Sequence, residues 1–374
     1  MLKTLNSELA VILITCIKVT TMQYFPQRLR MARKMNGLSL QDLSDRVDNH
    51  ISKQAISRYE NGDMLPERKN FLLLLKALDK KEDFFHKSGI TAELRPSFRK
   101  MKHLSKQEQE AITEQTKDYL ERYLEVESIL AAETRFTYRS DNICLTLLDA
   151  EHAAEAFRKH HNLGTDPIYN LTELLEDIGI KVYQHKYEAD AISGMSAWLD
   201  SEDGIAVIFV NTAHPKDRQR FTLGHELGHL VLNVEPSCSN HQIEKLCNRF
   251  AAALLMPEDK LRAELGRKRK SIHFKELELI KEQYGISPQS LLNRAKDLDI
   301  ITEHQRRQKF DYLKSIDMHK ENIGIYAGAE QSNQLLQLIC RGLAEGSLSM
   351  AKAASLHGER VAEFRERIQL NKDS

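Results

Sequence analysis

The chain has 374 residues, 41% of them apolar, enough for two or three domains with substantial cores. Its 54 Lys and Arg balance 54 Asp and Glu, so no whole-molecule charge field draws it to nucleic acid or a membrane, and any such partner must be met by a local surface. Five cysteines (Cys16, Cys144, Cys238, Cys247, Cys340) are odd in number and lack CxxC spacing, which argues against a disulfide framework and suits reduced thiols in a cytoplasm.

Residues 1–21, "MLKTLNSELAVILITCIKVTT", carry a short apolar run from Leu9 to Ile17 that is far too short to span a bilayer. They read as an extension ahead of Met22 from a misplaced start, in preference to a packed element or an export signal. No other segment looks transmembrane. From Phe25, apolar residues recur at helical spacing (Leu29, Ala32, Met35) until Gly37; Ser39 caps a second helix through Leu40, Leu43 and Val47. After a break at "DNHIS", Ser52 caps "KQAISRYENG", Gly62 ends it, and "MLPERKNFLLLLKALD" supplies one or two more. Residues 22–90 are therefore a compact all-helical domain, with 13 Lys and Arg against 9 Asp and Glu.

Residues 91–148 read as a helical linker. Ser105 and Glu108 form a capping box that opens a helix reaching to Glu133, with a narrow apolar stripe at Ile112, Tyr119, Tyr123, Val126 and Leu130. That stripe suits a connecting helix and offers a dimer contact. From 149 to 300, "AEHAAEAFRKHHNLG" and "NLTELLEDIG" read as helices, and "IKVYQHK", "ISGMSAWL" and "GIAVIFVN" as strands. Two helices follow, "RQRFTLGHELGHLVLN" and "QIEKLCNRFAAALLMP". Residues 301–374 are a helical region in which "IITEHQRRQKFDYLKSIDMHKENIG" connects. Ser347 or Ser349 caps "MAKAASL", and a glycine break precedes "GERVAEFRERI"; this tail reads as a helical cap or partner-binding segment, in preference to a second small helix-turn-helix.

"HELGH" places His225 and His229 at i and i+4 on one helical face, so both imidazoles reach one metal ion, while Glu226 is placed to take a proton from water. A catalytic site of this kind wants a third protein ligand. The next helix is apolar on one side (Ile243, Leu246, Phe250, Ala251, Leu254) and must pack near its predecessor. It carries Glu244, 15 residues after His229.

Taken together, "GIAVIFVN", "RQRFTLGHELGHLVLN" and "IEKLCNRFAAALLMP" resemble the ImmA/IrrE family of zinc metallopeptidases, whose members cleave transcriptional repressors. The resemblance spans about residues 150–300. It implies Zn2+ held by His225, His229 and Glu244, with Glu226 as the general base. Cys247 departs from the family, which usually has alanine there, and reads as a small core residue. Arg218 and Arg220 are expected in structural ion pairs, and His160, His161 and His241 at the surface.

Residues 28–79, above all "ISKQAISRYENGDMLP", resemble the XRE (Cro/C1-type) helix-turn-helix family. There the third helix lies in the major groove. The matching base-facing positions are Lys53, Gln54, Ser57 and Arg58, with Ile56 and Tyr59 turned into the core; Gln suits adenine, and Arg or Lys guanine. At the start of the second helix the family often has a phosphate-contacting glutamine where this chain has Leu40, with Gln41 next to it. Dimerisation is implied by the resemblance.

The fold class expected is multidomain and mainly α: an all-α helix-turn-helix head, an α+β zincin-like domain with a small sheet, and a helical C-terminal region. The expected function is a cytoplasmic, homodimeric, DNA-binding regulator with a zinc endopeptidase domain. Its partners would be double-stranded DNA and a repressor, an antitoxin-like protein or the chain's own linker, with no membrane. The alternative is a non-proteolytic transcription factor or antitoxin whose metallopeptidase-like domain senses a ligand or binds a partner.

Overall fold

A computed structural model describes residues 22–90, 93–96, 104–188, 192–199, 204–315 and 324–369. The extension 1–21 lies outside the described residues. The described residues fall into two compact units: those up to Glu93 with those from Leu104 to Glu121, and Leu94–Pro96 with those from Arg122 onward. Among them no helix is long and apolar enough to cross a membrane.

The first unit contains α1 (Phe25–Met35), α2 (Leu40–Arg46), α3 (Lys53–Asn61), α4 (Arg68–Leu78) and a 3-10 turn, Glu82–His86. Ser39 and Ser52 cap α2 and α3 as predicted, and Gly62 (φ 80°) closes α3 in the left-handed conformation. The turn between α2 and α3 uses Asp48 (φ 53°) and Asn49 (φ 57°), two short polar residues that tolerate that conformation. Its end is held by Ser44, whose hydroxyl donates to the Ile51 carbonyl at 2.8 Å. Behind the turn, the rings of Phe25, Phe71 and Phe85 meet at 5.6–5.7 Å between centroids. Arg33 grips the buried Glu60 carboxylate through two nitrogens at 2.6 and 2.9 Å, fixing α1 to α3.

Helix α5 (Lys106–Leu130) opens on the predicted capping box, with the Ser105 amide donating to Glu108 at 2.8 Å. It stops short of Glu133 because Ala131 turns left-handed (φ 46°). The stripe Ile112, Tyr119, Tyr123, Val126 and Leu130 is buried by the chain itself. The stripe is therefore not an exposed seam.

The second unit is built on a four-stranded sheet of order β1 (Leu94–Pro96), β4 (Gly194–Leu199), β5 (Ile205–Asn211), β3 (Lys181–His185). The last three are the predicted strands. Every residue of β5 is buried, and it runs antiparallel to β4 and parallel to β3, so its near-continuous apolar run reflects a central strand covered on both faces. β1 comes from the stretch read as linker and pairs antiparallel with β4, Leu94 opposite Leu199 and Pro96 opposite Ala197. A proline is tolerated there because β1 is an edge strand. A second, two-stranded parallel sheet joins β2 (Ile143–Cys144) to β6 (Asn233–Val234).

Around these lie α6 (Leu147–His160), α7 (Leu171–Asp177), α8 (Lys216–Val231), α9 (Asn240–Leu255), α10 (Glu258–Leu265), α11 (Phe274–Tyr284), α12 (Pro288–Asp297) and α13 (Glu303–Ser315). The C-terminal helices are α14 (Gln334–Ala344), α15 (Met350–His357), capped by Ser349, and α16 (Val361–Gln369), preceded by Gly358 (φ 90°). Thus the chain is mainly helical with a small sheet, as expected. Phe157 of α6, Leu223 and Leu227 of α8, and Phe250 and Leu254 of α9 share one core with Ile208 and Val210 of β5. Arg220 does make a buried ion pair, with Glu330. Arg218 is exposed and, among the described residues, donates to the Ser193 hydroxyl at 3.0 Å and makes no ion pair. His160 and His241 are at the surface, whereas His161 is half-buried with its ring 4.4 Å from that of Phe157.

Candidate metal centre

The "GHELGH" stretch lies in the C-terminal half of α8, and α9 returns across it. The approach is close because the motif's central glycine has no side chain: a Cβ on Gly228 would sit 3.2 Å from the Cα of Cys247. A second close approach brings the sheet in. A Cβ on Gly194 of β4 would meet a Thr222 methyl carbon at 2.4 Å and the Phe209 carbonyl oxygen at 2.9 Å, so only glycine lets β4 lie this near α8.

These two contacts assemble the site. His225 and His229 turn their Nε2 atoms toward each other, 3.1 Å apart, and Glu244 of α9 reaches both, with one carboxylate oxygen 3.4 Å from each Nε2. Burial pushes the Glu244 carboxyl up, but the two histidines beside it outweigh this and hold it well below the usual carboxylate range. Its Oε1 is nevertheless buried without a hydrogen-bond partner, because 3.4 Å to His229 is an ion-pair separation without hydrogen-bonding geometry. Three Lewis bases thus converge on one point. The 3.4 Å separations from Glu244 fall on the edge of a tetrahedron with metal–ligand bonds of about 2.0–2.2 Å, roughly 3.3–3.6 Å, and the 3.1 Å between the two Nε2 atoms is slightly shorter than that edge, so the residues fit a small divalent cation.

The other side of each imidazole is also engaged. His225 Nδ1 is 2.7 Å from the Asn248 carboxamide oxygen, and His229 Nδ1 is 3.4 Å from Cys247 Sγ. His225, His229 and Cys247 each offer a ligand atom within 4.8 Å of one another. The set containing Glu244 is the better one, because its oxygens face the Nε2 pair whereas the thiol lies against the opposite nitrogen of His229. Glu226 is almost fully buried, and its Oε2 accepts from the Ser196 hydroxyl of β4 at 2.8 Å, which aims the carboxylate.

Three of the four residues singled out in the motif region, His225, His229 and Glu244, are therefore brought together, while Glu226 is next to His225 in sequence with its carboxylate on Ser196. Ser196 and Asn248 do not stand out in the sequence as neighbours of the site, and Cys247 reads there only as a small core residue. For two of them a signal existed: Cys247 and Asn248 lie three and four residues after Glu244, on the same face of α9. In the first unit, Lys53, Gln54 and Arg58 are exposed along α3, Ser57 is half-buried, and Ile56 and Tyr59 are in the core. Gln41 is also exposed and donates to Asp45 at 2.9 Å.

Residues 175–296 match the family described as IrrE N-terminal-like domain (Peptidase M78), and residues 29–85 match the helix-turn-helix family. The radiation response metalloprotease IrrE of Deinococcus radiodurans is 44% identical over 64 residues, covering 14% of this chain and 20% of that protein. The match thus spans about a fifth of that relative's length. A transcriptional regulator of Mycobacterium tuberculosis aligns over 47% of this chain and 52% of its own, at 18% identity and a TM-score of 0.30. By the two domain matches, the chain joins an XRE-type helix-turn-helix domain to an IrrE-like domain of the Peptidase M78 family.

Proposed function

We propose that this chain is a cytoplasmic DNA-binding transcriptional regulator whose second unit is a zinc endopeptidase acting on a repressor or antitoxin-like protein. The observation that carries the reading is the convergence of His225 Nε2, His229 Nε2 and the Glu244 carboxylate beside a buried Glu226. Zn2+ held by those three residues would supply Lewis acidity, lowering the pKa of water and polarising the scissile carbonyl. Asn248 accepts the Nδ1 proton of His225 and so leaves that ring's Nε2 lone pair directed at the site. Glu226, aimed by Ser196, accepts the proton of the attacking water and delivers it to the departing amine.

The test is to incubate the protein product of the adjacent gene with the full chain, before and after treatment with a zinc chelator. Discrete fragments are expected from the untreated protein, none after chelation, and fragments again when zinc is restored. Fragments that persist after chelation would refute the metallopeptidase reading.

In the same proposal α3 reads DNA as part of a homodimer, with Lys53, Gln54, Ser57 and Arg58 toward the bases. Gln54→Ala and Arg58→Ala each remove a side chain suited to bidentate base contact, a loss of about 1–3 kcal/mol in site discrimination. Fluorescence anisotropy on the operator and on a scrambled duplex should show specific binding falling about tenfold or more while binding to the scrambled duplex changes little. An equal loss on both duplexes would reduce these residues to phosphate contacts.

A further inference from the structure

We infer that Cys247 is a positioning residue for the metal centre, holding the His229 ring by accepting its Nδ1–H, and is neither a fourth ligand nor an inert core residue. The inference rests on the metal-centre reading above and concerns a side chain that departs from the family's usual alanine.

Three observations carry it. The first is which nitrogen the sulfur meets: Sγ lies 3.4 Å from His229 Nδ1, while the Nε2 of the same ring faces His225 and Glu244. A neutral imidazole offering its Nε2 lone pair to a cation carries its proton on Nδ1 and must donate it elsewhere. The second is symmetry of role. His225 has its Nδ1 against Asn248, so successive residues of α9 hold the outer nitrogens of the two rings, three and four residues after Glu244. One helix thereby delivers a ligand and orients the other two. The third is rigidity. Cys247 is fully buried, and its Cα and Cβ lie against Gly228 of the motif at 3.2 and 3.3 Å from where a Cβ would stand, which fixes the thiol relative to α8. The His229 side chain is slightly more exposed than that of His225, 9% against 1%, so it depends more on such a hold.

Alanine at this position would leave the His229 N–H with no acceptor on that side. Loss of an outer-shell partner of this type typically lowers metal affinity about 10–100-fold. A residue that merely filled the core would change the stability of the metal-free protein and leave metal affinity unchanged.

The experiment uses the full chain and two metal readouts. The Co2+-loaded wild-type protein is expected to show ligand-field absorption without a thiolate-to-cobalt charge-transfer band in the near ultraviolet. Cys247→Ala is expected to keep that spectrum, weaken Zn2+ binding about 10–100-fold in competition with a chromophoric chelator, and shrink the zinc-induced rise in Tm. Cys340→Ala, which alters an exposed thiol of α14, should leave both readouts unchanged. A charge-transfer band in the wild type that Cys247→Ala abolishes would make Cys247 a ligand and overturn the inference. Unaltered Zn2+ affinity in Cys247→Ala would overturn it in favour of an inert core residue. If the wild type takes up neither ion, the metal-centre reading fails as well, an outcome distinct from the other two.

Discussion

Glu226→Gln is expected to slow peptide hydrolysis by about 10²–10⁴-fold, the usual contribution of a positioned general acid–base group, while leaving zinc stoichiometry unchanged. The two side chains have nearly the same shape, and the amide oxygen of glutamine can still accept from Ser196, whose hydroxyl now lies 2.8 Å from the carboxylate. The proposed metal ligands are separate residues, so nothing that would hold zinc is removed. What would be lost is the basicity that, in the proposed mechanism, takes a proton from water and returns it to the amine. Comparing kcat/KM and metal content of the two proteins checks the prediction. Equal cleavage by both forms would remove Glu226 from the mechanism, whatever the metal does.

The residues that converge at this site differ in how plainly the sequence announces them. His225, Glu226 and His229 follow from helical periodicity within five residues. Glu244 follows from one further step, since an apolar face obliges the next helix to pack against the first. Cys247 and Asn248 share that face but are ordinary residue types whose roles appear only when the imidazole nitrogens are located. Ser196 is beyond local reasoning altogether: it meets Glu226 because Gly194 lets a strand lie close against α8.

The fold shows the same division. Strands β3, β4 and β5 are long enough to display apolar composition, whereas β1, β2 and β6 have two or three residues each and carry no period to read. The stripe on α5 shows the remaining ambiguity. Periodicity says that a face is buried, and it cannot say whether a second copy or the same chain buries it.

Removing the Glu330 carboxylate is expected to cost about 3–5 kcal/mol of stability, the range for breaking a buried ion pair from one side. Arg220 lies five residues before His225 on α8 and is fully buried. Its guanidinium pairs with Glu330, donates to the Ile168 carbonyl at 2.7 Å and to that of Tyr284 at 3.2 Å, and lies 4.4 Å over the Tyr326 ring. Glu330 in turn accepts from the first amides of α7, Leu171 at 3.1 Å and Thr172 at 3.2 Å, and from the Thr172 hydroxyl at 3.1 Å. Its carboxylate thus sits at a helix N-terminus opposite a guanidinium, where both favour the anion. Glu330→Ala leaves the arginine charge buried without its counter-ion and the α7 amides without an acceptor, so two penalties add. Glu330→Gln keeps part of the hydrogen bonding and should lose less. The double change Arg220→Met with Glu330→Leu removes both charges and should recover part of the loss relative to Glu330→Ala. Urea unfolding of the three variants gives the ordering, and a Glu330→Ala protein within about 1 kcal/mol of wild type would show that the pair contributes no more than a surface ion pair. The consequence reaches the proposed metal centre through the chain itself. The segment around Glu330 holds the leading turns of the helix that carries His225 and His229, so a protein ending at Ser315 is expected to lose zinc affinity together with stability.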